Sequence, residues 1–426
     1  MRFIFKSKKT LILWIGILLL VGVIVVLMIL SKDEKSFDDS ALILSPIEID
    51  EHDNGFYNFS RAAEKVFLTV DNRQILYSML QGKIWDNNLV EQVLMDNEEA
   101  IFYFRKAVDY PKFQLPDFQN MALINVDTPL PGLEKWRSVA EVVSLNSLYL
   151  FKQGREKEAF DDSVRLIKMG QLIGNSPRPN SIQYLIGILF QNFGIDRLKS
   201  MVPFTSLPLD DLKSYIKELD DTQIAKEQGG VIIKEEYMII NNSFDLLKRE
   251  TQRLIEEESF PLRLLDKLSY YYKLNKTKKL FFEYYLIQSK NFDKKYYSET
   301  NFSTLGNPFF STLGTQKFFT ENLIGKIIYE YNANNFGGFF SLTCKQNFLI
   351  NAIQVLIALK AYKIEKGETP ASLNILTPNY ISEVPIDPFD GRPIRFSIFN
   401  KTIYSVGEDL KENGGLNEEP SLLVEF

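Results

Sequence analysis

The longest apolar run of the chain lies near its start, at residues 11–30 (LILWIGILLLVGVIVVLMIL). This run is 20 residues long and carries no charge, and that length is what an α-helix needs to cross the hydrocarbon core of a bilayer. We therefore predict one transmembrane helix at residues 11–30, with the lipid bilayer as its partner. Such a helix divides the chain into two parts that lie on opposite sides of a membrane.

The charges on either side of this run predict its orientation. The basic residues before it are Arg2, Lys6, Lys8 and Lys9, and the acidic residues after it are Asp33, Glu34, Asp38 and Asp39. Because cytoplasmic flanks are enriched in Lys and Arg, we expect residues 1–10 to form a cytoplasmic stub. The protein would then be a single-pass protein of the inner (cytoplasmic) membrane, with its C-terminal bulk outside, in the periplasm.

A cleaved signal peptide is the alternative interpretation of the same run. The apolar core of a signal peptide is about 7–15 residues long and precedes a small-x-small cleavage site. The run at residues 11–30 is longer, and no such site follows it. These two features favour an uncleaved anchor.

Charge and cysteine content restrict the partners and the stability of the exported part. The segment 31–46 is polar and acidic, which is typical of a short linker. Subtracting the +4 of the first ten residues from the formal net charge of −6 leaves about −10 outside the membrane. This excess of acid argues against a nucleic-acid partner. Cys344 is the only cysteine, so an intrachain disulfide is excluded and stability must come from the core.

Helical periodicity dominates residues 47–340, where strand-like alternation is scarce. We predict a fold that is mainly α, with an irregular α-helical extracytoplasmic domain over 47–340. Its helices are expected near 56–70, 87–109, 134–153, 156–175, 180–200, 208–222, 230–258, 262–299 and 316–333. The clearest pair is an αα-hairpin with Gly154 in the turn. That turn resembles a tetratricopeptide turn, but no repeat of that period follows, so an irregular bundle is favoured over a repeat array.

The C-terminal region, residues 341–426, changes from helix to a small α+β pattern. The apolar residues Leu349, Ile353, Leu356 and Leu359 recur at helical spacing, and the other face carries Asn351, Gln354, Lys360 and Lys363. This predicts an amphipathic helix that runs to about Lys366, where Gly367 and Pro370 end it. The turn dipeptide Asp390-Gly391 and alternating runs at 394–396 and 402–404 predict an antiparallel hairpin.

This order of elements resembles the globular end of the type II secretion major pseudopilin family. The matching stretches are 358–362 (ALKAY), 367–370 (GETP), 385–393 (PIDPFDGRP) and 404–409 (YSVGED), which together cover less than a fifth of the chain. The resemblance implies a pseudopilin-like module, a long helix with a small antiparallel sheet, at 341–426. A pseudopilin would also carry a Gly before its span and a Glu just inside it. Both are missing around Lys9-Thr10-Leu11, so the chain is not itself a pilin-type subunit.

The resemblance also implies a calcium ion. Pseudopilins of this type hold calcium in the loop that corresponds to residues 405–418, and this loop contains Glu408, Asp409, Glu412, Asn413, Asn417 and Glu418. Calcium prefers such oxygen ligands. Asp409 matches the acid of the family loop best and is the candidate metal ligand, although the frequent Asp-Gly of the family is here Asp409-Leu410. The alternative is a solvated acidic loop.

No catalytic residue can be selected from the sequence. His52 is the only histidine and lies in an acidic segment, where a histidine is usually a surface residue. The motifs GxxxxGKS/T, GxSxG and HExxH are absent, as is GxGxxG after a strand. The chain has 55 carboxylate residues, so the sequence leaves open the alternative of a catalytic carboxylate pair that faces a cleft.

These patterns together predict a membrane-anchored bacterial envelope protein. Its expected role is that of a non-enzymatic scaffold or protein-interaction partner, related to secretion and working with other envelope or secretion proteins. Two alternatives stay open: an extracytoplasmic hydrolase that uses a carboxylate pair, and a helical protein that binds a ligand or peptide. Polar residues clustered in a deep cleft would favour the hydrolase, and an apolar patch or a concave helical groove would favour the binding protein.

Overall fold

The computed structural model describes residues 8–115, 133–257, 272–300, 321–332, 336–415 and 420–426. In these ranges the protein is mainly helical and has a small three-stranded sheet, which confirms the predicted mainly α class. The α-helices are α1 (Lys8–Ser31), α2 (Phe56–Lys65), α3 (Val70–Leu80), α4 (Asn87–Asp96), α5 (Glu98–Val108), α6 (Leu133–Lys152), α7 (Glu156–Gly174), α8 (Ser181–Met201), α9 (Leu209–Asp220), α10 (Gln228–Glu257), α11 (Leu274–Asn291), α12 (Leu323–Asn332) and α13 (Phe336–Lys366). The strands are β1 (Arg395–Ser397), β2 (Thr402–Tyr404) and β3 (Ser421–Leu423).

The predicted membrane span falls on α1, whose described apolar side chains are exposed. Leu18 and Ile29, for example, are each 67% exposed. The described apolar stretch of α1, Trp14–Val23, is short. Within the described residues, α13 alone is long and apolar enough to cross a bilayer, and 83% of its apolar stretch is buried inside the protein. A membrane crossing by α1 therefore stays a prediction, and α13 is a core helix.

The predicted αα-hairpin is present as α6 and α7, and Gly154 occupies its turn with φ +76°, a conformation that glycine adopts without a steric penalty. Helix α8 packs very closely on α7 because both helices carry glycine at the contact. A Cβ atom on Gly170 of α7 would lie 2.3 Å from the carbonyl oxygen of Gly187 in α8. A Cβ atom on Gly194 of α8 would lie 2.4 Å from the carbonyl oxygen of Ser163. These glycines bring the two backbones into direct contact.

Helix α13 lies at the centre of the largest apolar core. Side chains along its length, such as Ile353 and Leu356, are fully buried and pack with residues of α7, α8 and α9 and with the sheet. Gly367, with φ +80°, ends the helix and donates its N–H to the carbonyl of Lys363 at 2.8 Å. The first turn of α13 packs in a second core with α10 and α11. The predicted boundary between residues 340 and 341 thus lies within one continuous helix.

The C-terminal sheet has the order β1-β2-β3, and both pairs of strands are antiparallel. Phe396 of β1 pairs with Ile403 of β2, within the predicted hairpin. Ile403 also pairs with Leu422 of β3 on its other side. Ile403 is fully buried and packs on α13 through the shared core. The third strand, at residues 421–423, was not predicted from the sequence.

The predicted helices 56–70 and 87–109 differ from the structure at the side chain of Asn97. This carboxamide is 1% exposed, accepts the N–H of Phe67 at 2.7 Å and donates to the carbonyl of Phe67 at 2.9 Å. The pairing fixes Phe67 beside Asn97, and Val66 before it has extended backbone, so the helix predicted at 56–70 ends at Lys65. It also separates α4 from α5, where one helix was predicted at 87–109. A buried Asn that binds backbone groups competes with continuous helix. The predicted helix 262–299 is described only as Leu274–Asn291, and helix Val70–Leu80 was not predicted.

Candidate functional site

A polar cleft of about 460 Å³ lies beside the central helix α13. One wall is the loop at 221–227 between α9 and α10, and the other is the segment 382–388 that precedes the sheet. The floor is one face of α13. A concave site of this size can take a small ligand or a short peptide segment. We take it as the candidate functional site.

The floor of the cleft is a row of polar side chains on α13. Thr343, Asn347, Asn351 and Gln354 follow one another at spacings of four, four and three residues, which places them on one face of a helix. All four residues are at most 9% exposed. The sequence predicted Asn351 and Gln354 on the polar face of an amphipathic helix. In the structure that face is covered by the walls of the cleft.

The amide groups of this row hold both walls in place. Asn351 accepts a hydrogen bond from Gln223 Nε2 at 2.6 Å and donates to the carbonyl of Ile386 at 3.2 Å. Gln354 donates to Asp220 Oδ1 at 2.5 Å and to the carbonyl of Ile216 at 3.1 Å. Buried amides with partners on both sides fix the positions of those partners. The shape of the cleft is therefore set before any ligand arrives.

One amide in the row keeps unused bonding capacity within the described residues. Asn347 donates to the carbonyl of Ile224 at 3.4 Å, a long hydrogen bond, while its buried Oδ1 atom accepts none. A buried polar atom without a partner is unfavourable.

Two lysines, Lys226 and Lys295, give one end of the cleft a positive charge, and Tyr296 lies beside them. Lys226 Nζ lies 4.6 Å from the centre of the Phe340 ring and 5.9 Å from that of Tyr296, and it donates to the carbonyl of Lys295. Burial lowers the pKa of Lys226. The hydrogen bond with Tyr296 raises the pKa of Lys295. The carboxylates of Asp220 and Glu383 also line the cleft, so it presents both signs of charge.

Cys344 lines the cleft but is not a nucleophile there. It is 1% exposed, its Sγ lies 3.6 Å from the carbonyl oxygen of Pro388, and burial raises the pKa of the thiol to about 12. The reactive form of cysteine is the thiolate, which is scarce at neutral pH with such a pKa. His52 is exposed in the short turn Glu51–Asp53 and does not line the cleft.

Two of the four stretches that carry the pseudopilin resemblance, 385–393 and 404–409, meet at one buried carboxylate. Asp387, in the Pro-rich passage, is fully buried, accepts from Ser405 Oγ at 2.8 Å and from the N–H of Val406 at 3.1 Å, and forms an ion pair with Arg395 at 2.9 Å. Burial raises the pKa of Asp387. This carboxylate ties the 404–409 loop to the passage that forms one wall of the cleft.

The predicted calcium ligand Asp409 is exposed and accepts the N–H of Lys411 at 3.1 Å. Two neighbouring acids already have partners: Glu408 accepts from Ser341, and Glu412 accepts from Tyr404 at 3.2 Å. Across the described ranges, no three His, Cys, Asp or Glu side chains are grouped to hold a metal ion. Asn417 and Glu418 lie outside the described residues. Calcium at Asp409 stays a prediction.

The cleft itself was not predicted, although part of its signal is in the sequence. The one-turn spacing of Thr343, Asn347, Asn351 and Gln354 is visible there, and four uncharged polar residues along one line of an apolar helix indicate a polar contact. Their partners Gln223 and Ile386 lie far away along the chain and carry no local signal.

Comparison with known proteins identified no relative. No family model matches the chain, and no curated protein and no solved structure matches it. The resemblance to the major pseudopilin family therefore rests on the motifs around Asp387 and at the end of α13.

Proposed function

We propose that the chain is a single-pass envelope protein, anchored in the inner membrane by residues 11–30, whose periplasmic body is a non-enzymatic interaction protein. In this proposal it works with other envelope or secretion proteins and holds a peptide segment of a partner in the polar cleft. The observation that carries the proposal is the exposed apolar helix α1, and the cleft beside α13 supports the binding role.

Support for the anchor comes from the exposure of α1. A large exposed apolar surface is unfavourable in water and marks contact with protein or lipid. A helix of 20 residues is about 30 Å long, which equals the thickness of the hydrocarbon core. The basic residues before the run and the acidic residues after it support a cytoplasmic N-terminus.

Support for peptide binding comes from the chemistry of the cleft. Carboxamides recognise the N–H and C=O groups of a peptide backbone because they carry the same donor and acceptor. The lysines and carboxylates at its rim can bind charged side chains or chain termini of either sign. The described residues that line the cleft include no histidine, and burial raises the pKa of the Cys344 thiol, so binding is a simpler use of the cleft than nucleophilic catalysis.

A reporter fused after Phe426 tests the anchor and its orientation. We expect activity from a reporter that works only outside the cytoplasm, together with retention of the chain in membranes after carbonate extraction. Activity from a reporter that works only in the cytoplasm would contradict the orientation.

Pull-down from membranes with the anchor intact tests the cleft. The double charge reversal Lys295→Glu and Glu383→Lys changes its rim, and both residues are exposed. The control is Lys83→Glu, an exposed lysine between α3 and α4. We expect the double variant to capture at least tenfold less of a partner than the wild type does. The control should capture as much as the wild type. Equal capture by both variants would remove the cleft from the proposal.

The hydrolase is a second candidate because two carboxylates, Asp220 and Glu383, line the same cleft. A carboxylate pair across a cleft is the arrangement that glycosidases use. The purified protein, Asp220→Asn and Glu383→Gln would be incubated with envelope polymers, and the release of reducing ends would be measured. Release by the wild type that falls at least a hundredfold in both variants would replace the interaction proposal.

Calcium binding at Asp409 is a further proposal, supported by the pseudopilin resemblance. A ligand that binds only the folded state stabilises it by about 2.7 kcal/mol at one hundred times its dissociation constant. We expect millimolar calcium to raise the unfolding midpoint of the wild type but not of Asp409→Asn. The same midpoint in calcium and in chelator would identify a solvated acidic loop.

A further inference from the structure

The wall of the cleft that follows α9 runs antiparallel to α13. Its hydrogen-bonded pairs with the helix, in order along the wall, are Asp220 with Gln354, Gln223 with Asn351, and Ile224 with Asn347. Lys226 comes next, and its Nζ atom lies 4.6 Å from the centre of the Phe340 ring, near the start of the helix. The wall therefore begins with an acid at one end of the polar row and ends with a lysine at the other.

The opposite wall, residues 382–388, runs in the same direction as the first. The carbonyl of Ile386 accepts a hydrogen bond from Asn351, and the carbonyl oxygen of Pro388 lies 3.6 Å from Cys344 Sγ. Cys344 lies about two helical turns closer to the start of α13 than Asn351 does. As the residue number rises along either wall, the contact on α13 moves toward the start of the helix.

The charged side chains that line the cleft are separated by sign. Asp220 lies at Gln354, and Glu383 lies toward the same end because it precedes the part of its wall that contacts α13. Lys226 donates a hydrogen bond to the carbonyl of Lys295, so the two lysines share the other end. We call these two places the acid end and the lysine end.

The charges at both ends are available to a ligand. In the ranges that the structure describes, neither lysine forms an ion pair: Lys226 Nζ lies against the Phe340 ring, and Lys295 Nζ lies 5.2 Å from the centre of the Tyr296 ring. The two carboxylates of the acid end likewise form no ion pair within those ranges. A charged group without a counter-ion in a cleft attracts a ligand group of the opposite sign.

Other acids near the lysine end do not line the cleft. Glu227 and Glu299 act on Lys226 from outside the set of lining residues, and Glu299 accepts the backbone N–H of Lys295 at 3.0 Å. Two further acids near Cys344 already have partners, which are Arg395 for Asp387 and Ser341 for Glu408. The described lining residues therefore keep their separation of charge.

The length of the polar row sets the length of a ligand that reaches both ends. Gln354 lies 11 residues beyond Thr343 on α13, which corresponds to about 16 Å along the helix axis. An extended peptide advances about 3.3–3.6 Å per residue. A segment of about five residues therefore spans the distance between the two ends of the cleft.

We propose that the cleft binds an extended peptide segment of about five residues in one orientation, with a carboxylate at the lysine end and a cationic group at the acid end. The inference rests on the proposed peptide-binding function and specifies the length, charge pattern and orientation of the ligand. An internal segment of a partner supplies these charges through acidic and basic side chains. A free oligopeptide supplies them through its two termini.

Calorimetric titration of the purified full chain in detergent, with synthetic pentapeptides, tests the charge pattern. The first peptide is capped at both termini and has the sequence Lys-Ala-Ala-Ala-Glu. Its matched control, Ala-Lys-Glu-Ala-Ala, has the same caps and composition, but its adjacent charges can reach only one end of the cleft. Because a partly exposed ion pair contributes up to about fivefold in affinity, we expect the control to bind about fivefold more weakly.

Penta-alanine distinguishes the two sources of the charges. With free termini it represents a free oligopeptide, and with capped termini it carries no charge. We expect the capped form to bind more weakly than Lys-Ala-Ala-Ala-Glu by about tenfold or more, since both ion pairs are lost. Binding of the free form as tight as that of Lys-Ala-Ala-Ala-Glu would identify free oligopeptides as ligands, and much weaker binding would identify internal segments.

Charge reversal in the protein gives the complementary test. The double variant Lys295→Glu and Glu383→Lys leaves one charge of each sign at each end, so we expect Lys-Ala-Ala-Ala-Glu to bind it about tenfold or more weakly. Lys83→Glu, an exposed lysine that does not line the cleft, should bind like the wild type.

Photo-crosslinking tests the orientation. A diazirine-bearing leucine replaces the alanine next to the glutamate or the alanine next to the lysine of the first peptide. We expect the label next to the glutamate to react near Lys295 and Tyr296, and the label next to the lysine to react near Glu383. Mass spectrometry of the proteolytic fragments locates both products.

Three results would contradict the proposal. Equal affinity for Lys-Ala-Ala-Ala-Glu and its matched control would overturn the charge pattern and leave peptide binding intact. Reaction of both photolabels with the same fragments would overturn the single orientation. If no peptide binds at millimolar concentration, the inference is wrong, and the pull-down from membranes then decides the proposed function independently.

Discussion

The helices α1 and α13 are both long and rich in apolar residues, but their surroundings are opposite. Helix α1 exposes its described apolar side chains, with Leu19 66% exposed, whereas Leu356 and Ile353 of α13 are fully buried. Length and hydropathy alone would misassign α13, because within the described residues it passes the test for a membrane span. What separates them is the row of polar side chains on α13, which needs partners that only a folded protein supplies. The apolar run 11–30 carries no such row.

The largest expected effect comes from truncating a leucine in each helix. Leu356→Ala should lower the free energy of unfolding by about 2–5 kcal/mol, because it leaves a cavity in a closely packed core. Leu19→Ala should change it little, since that side chain is 66% exposed. Denaturant unfolding of the full chain in detergent measures both. Similar losses would mean that α1 packs on the body.

Adding a methyl group to a glycine tests the same contrast from the opposite direction. Gly187→Ala places a Cβ atom 2.6 Å from the carbonyl oxygen of Gly170, and such overpacking should cost about 1–3 kcal/mol. Gly16→Ala in α1 meets nothing within 4 Å and should be neutral in the same unfolding experiment. A neutral Gly187→Ala would show that α7 and α8 can separate without loss.

Removing one amide from α13 tests whether the polar row holds the cleft. Asn351→Leu leaves the carbonyl of Ile386 and the amide of Gln223 without their partner, and an unsatisfied buried group costs about 1–3 kcal/mol. Asn192→Leu, at an exposed position of α8, is the control. We expect only the first variant to unfold earlier and to lose partner capture. Full stability of Asn351→Leu would make the row dispensable for the fold.

The smallest effect is expected where α1 joins the body. Glu321 has its pKa lowered to about 2 by Lys273 and Lys276, so its ion pairs contribute stability above the ordinary pKa of 4.5 and lose it as the pH falls toward 2. Because Glu321 is 38% exposed, solvent screening keeps the contribution small. Glu321→Gln should be less stable than the wild type at pH 7, and the difference should vanish near pH 2. A stability difference that persists at low pH would mean that the ion pairs of Glu321 are not its cause.

Local signals in the sequence predicted those parts of the fold that local interactions determine. The end of the last helix near Lys366 follows from Gly367, the α6–α7 hairpin follows from its periodicity and Gly154, and the β1–β2 pair follows from its alternation. Strand β3 has three residues and exists because Leu422 pairs with Ile403. A pairing between distant residues leaves no local pattern.

The candidate site could be predicted only in part for the same reason. The row of polar residues on α13 is visible in the sequence, and Asn351 and Gln354 were placed on its polar face. That this face is buried depends on Gln223, Asp220 and Ile386, which come from two distant loops. The attachment of the chain after α1 likewise joins Lys32 with Lys273 and Glu321. Only the folded chain brings these groups together.

The row of polar residues on α13 also has a consequence for biosynthesis in the proposed topology. Both apolar helices must enter the export channel, where a segment can pass sideways into lipid or continue across. Helix α1 carries nothing between residues 11 and 30 that opposes its release into lipid. Helix α13 carries three amides and a threonine along one line, and polar groups in a lipid environment are unfavourable. The residues that later form the floor of the cleft thus also direct α13 to complete its translocation.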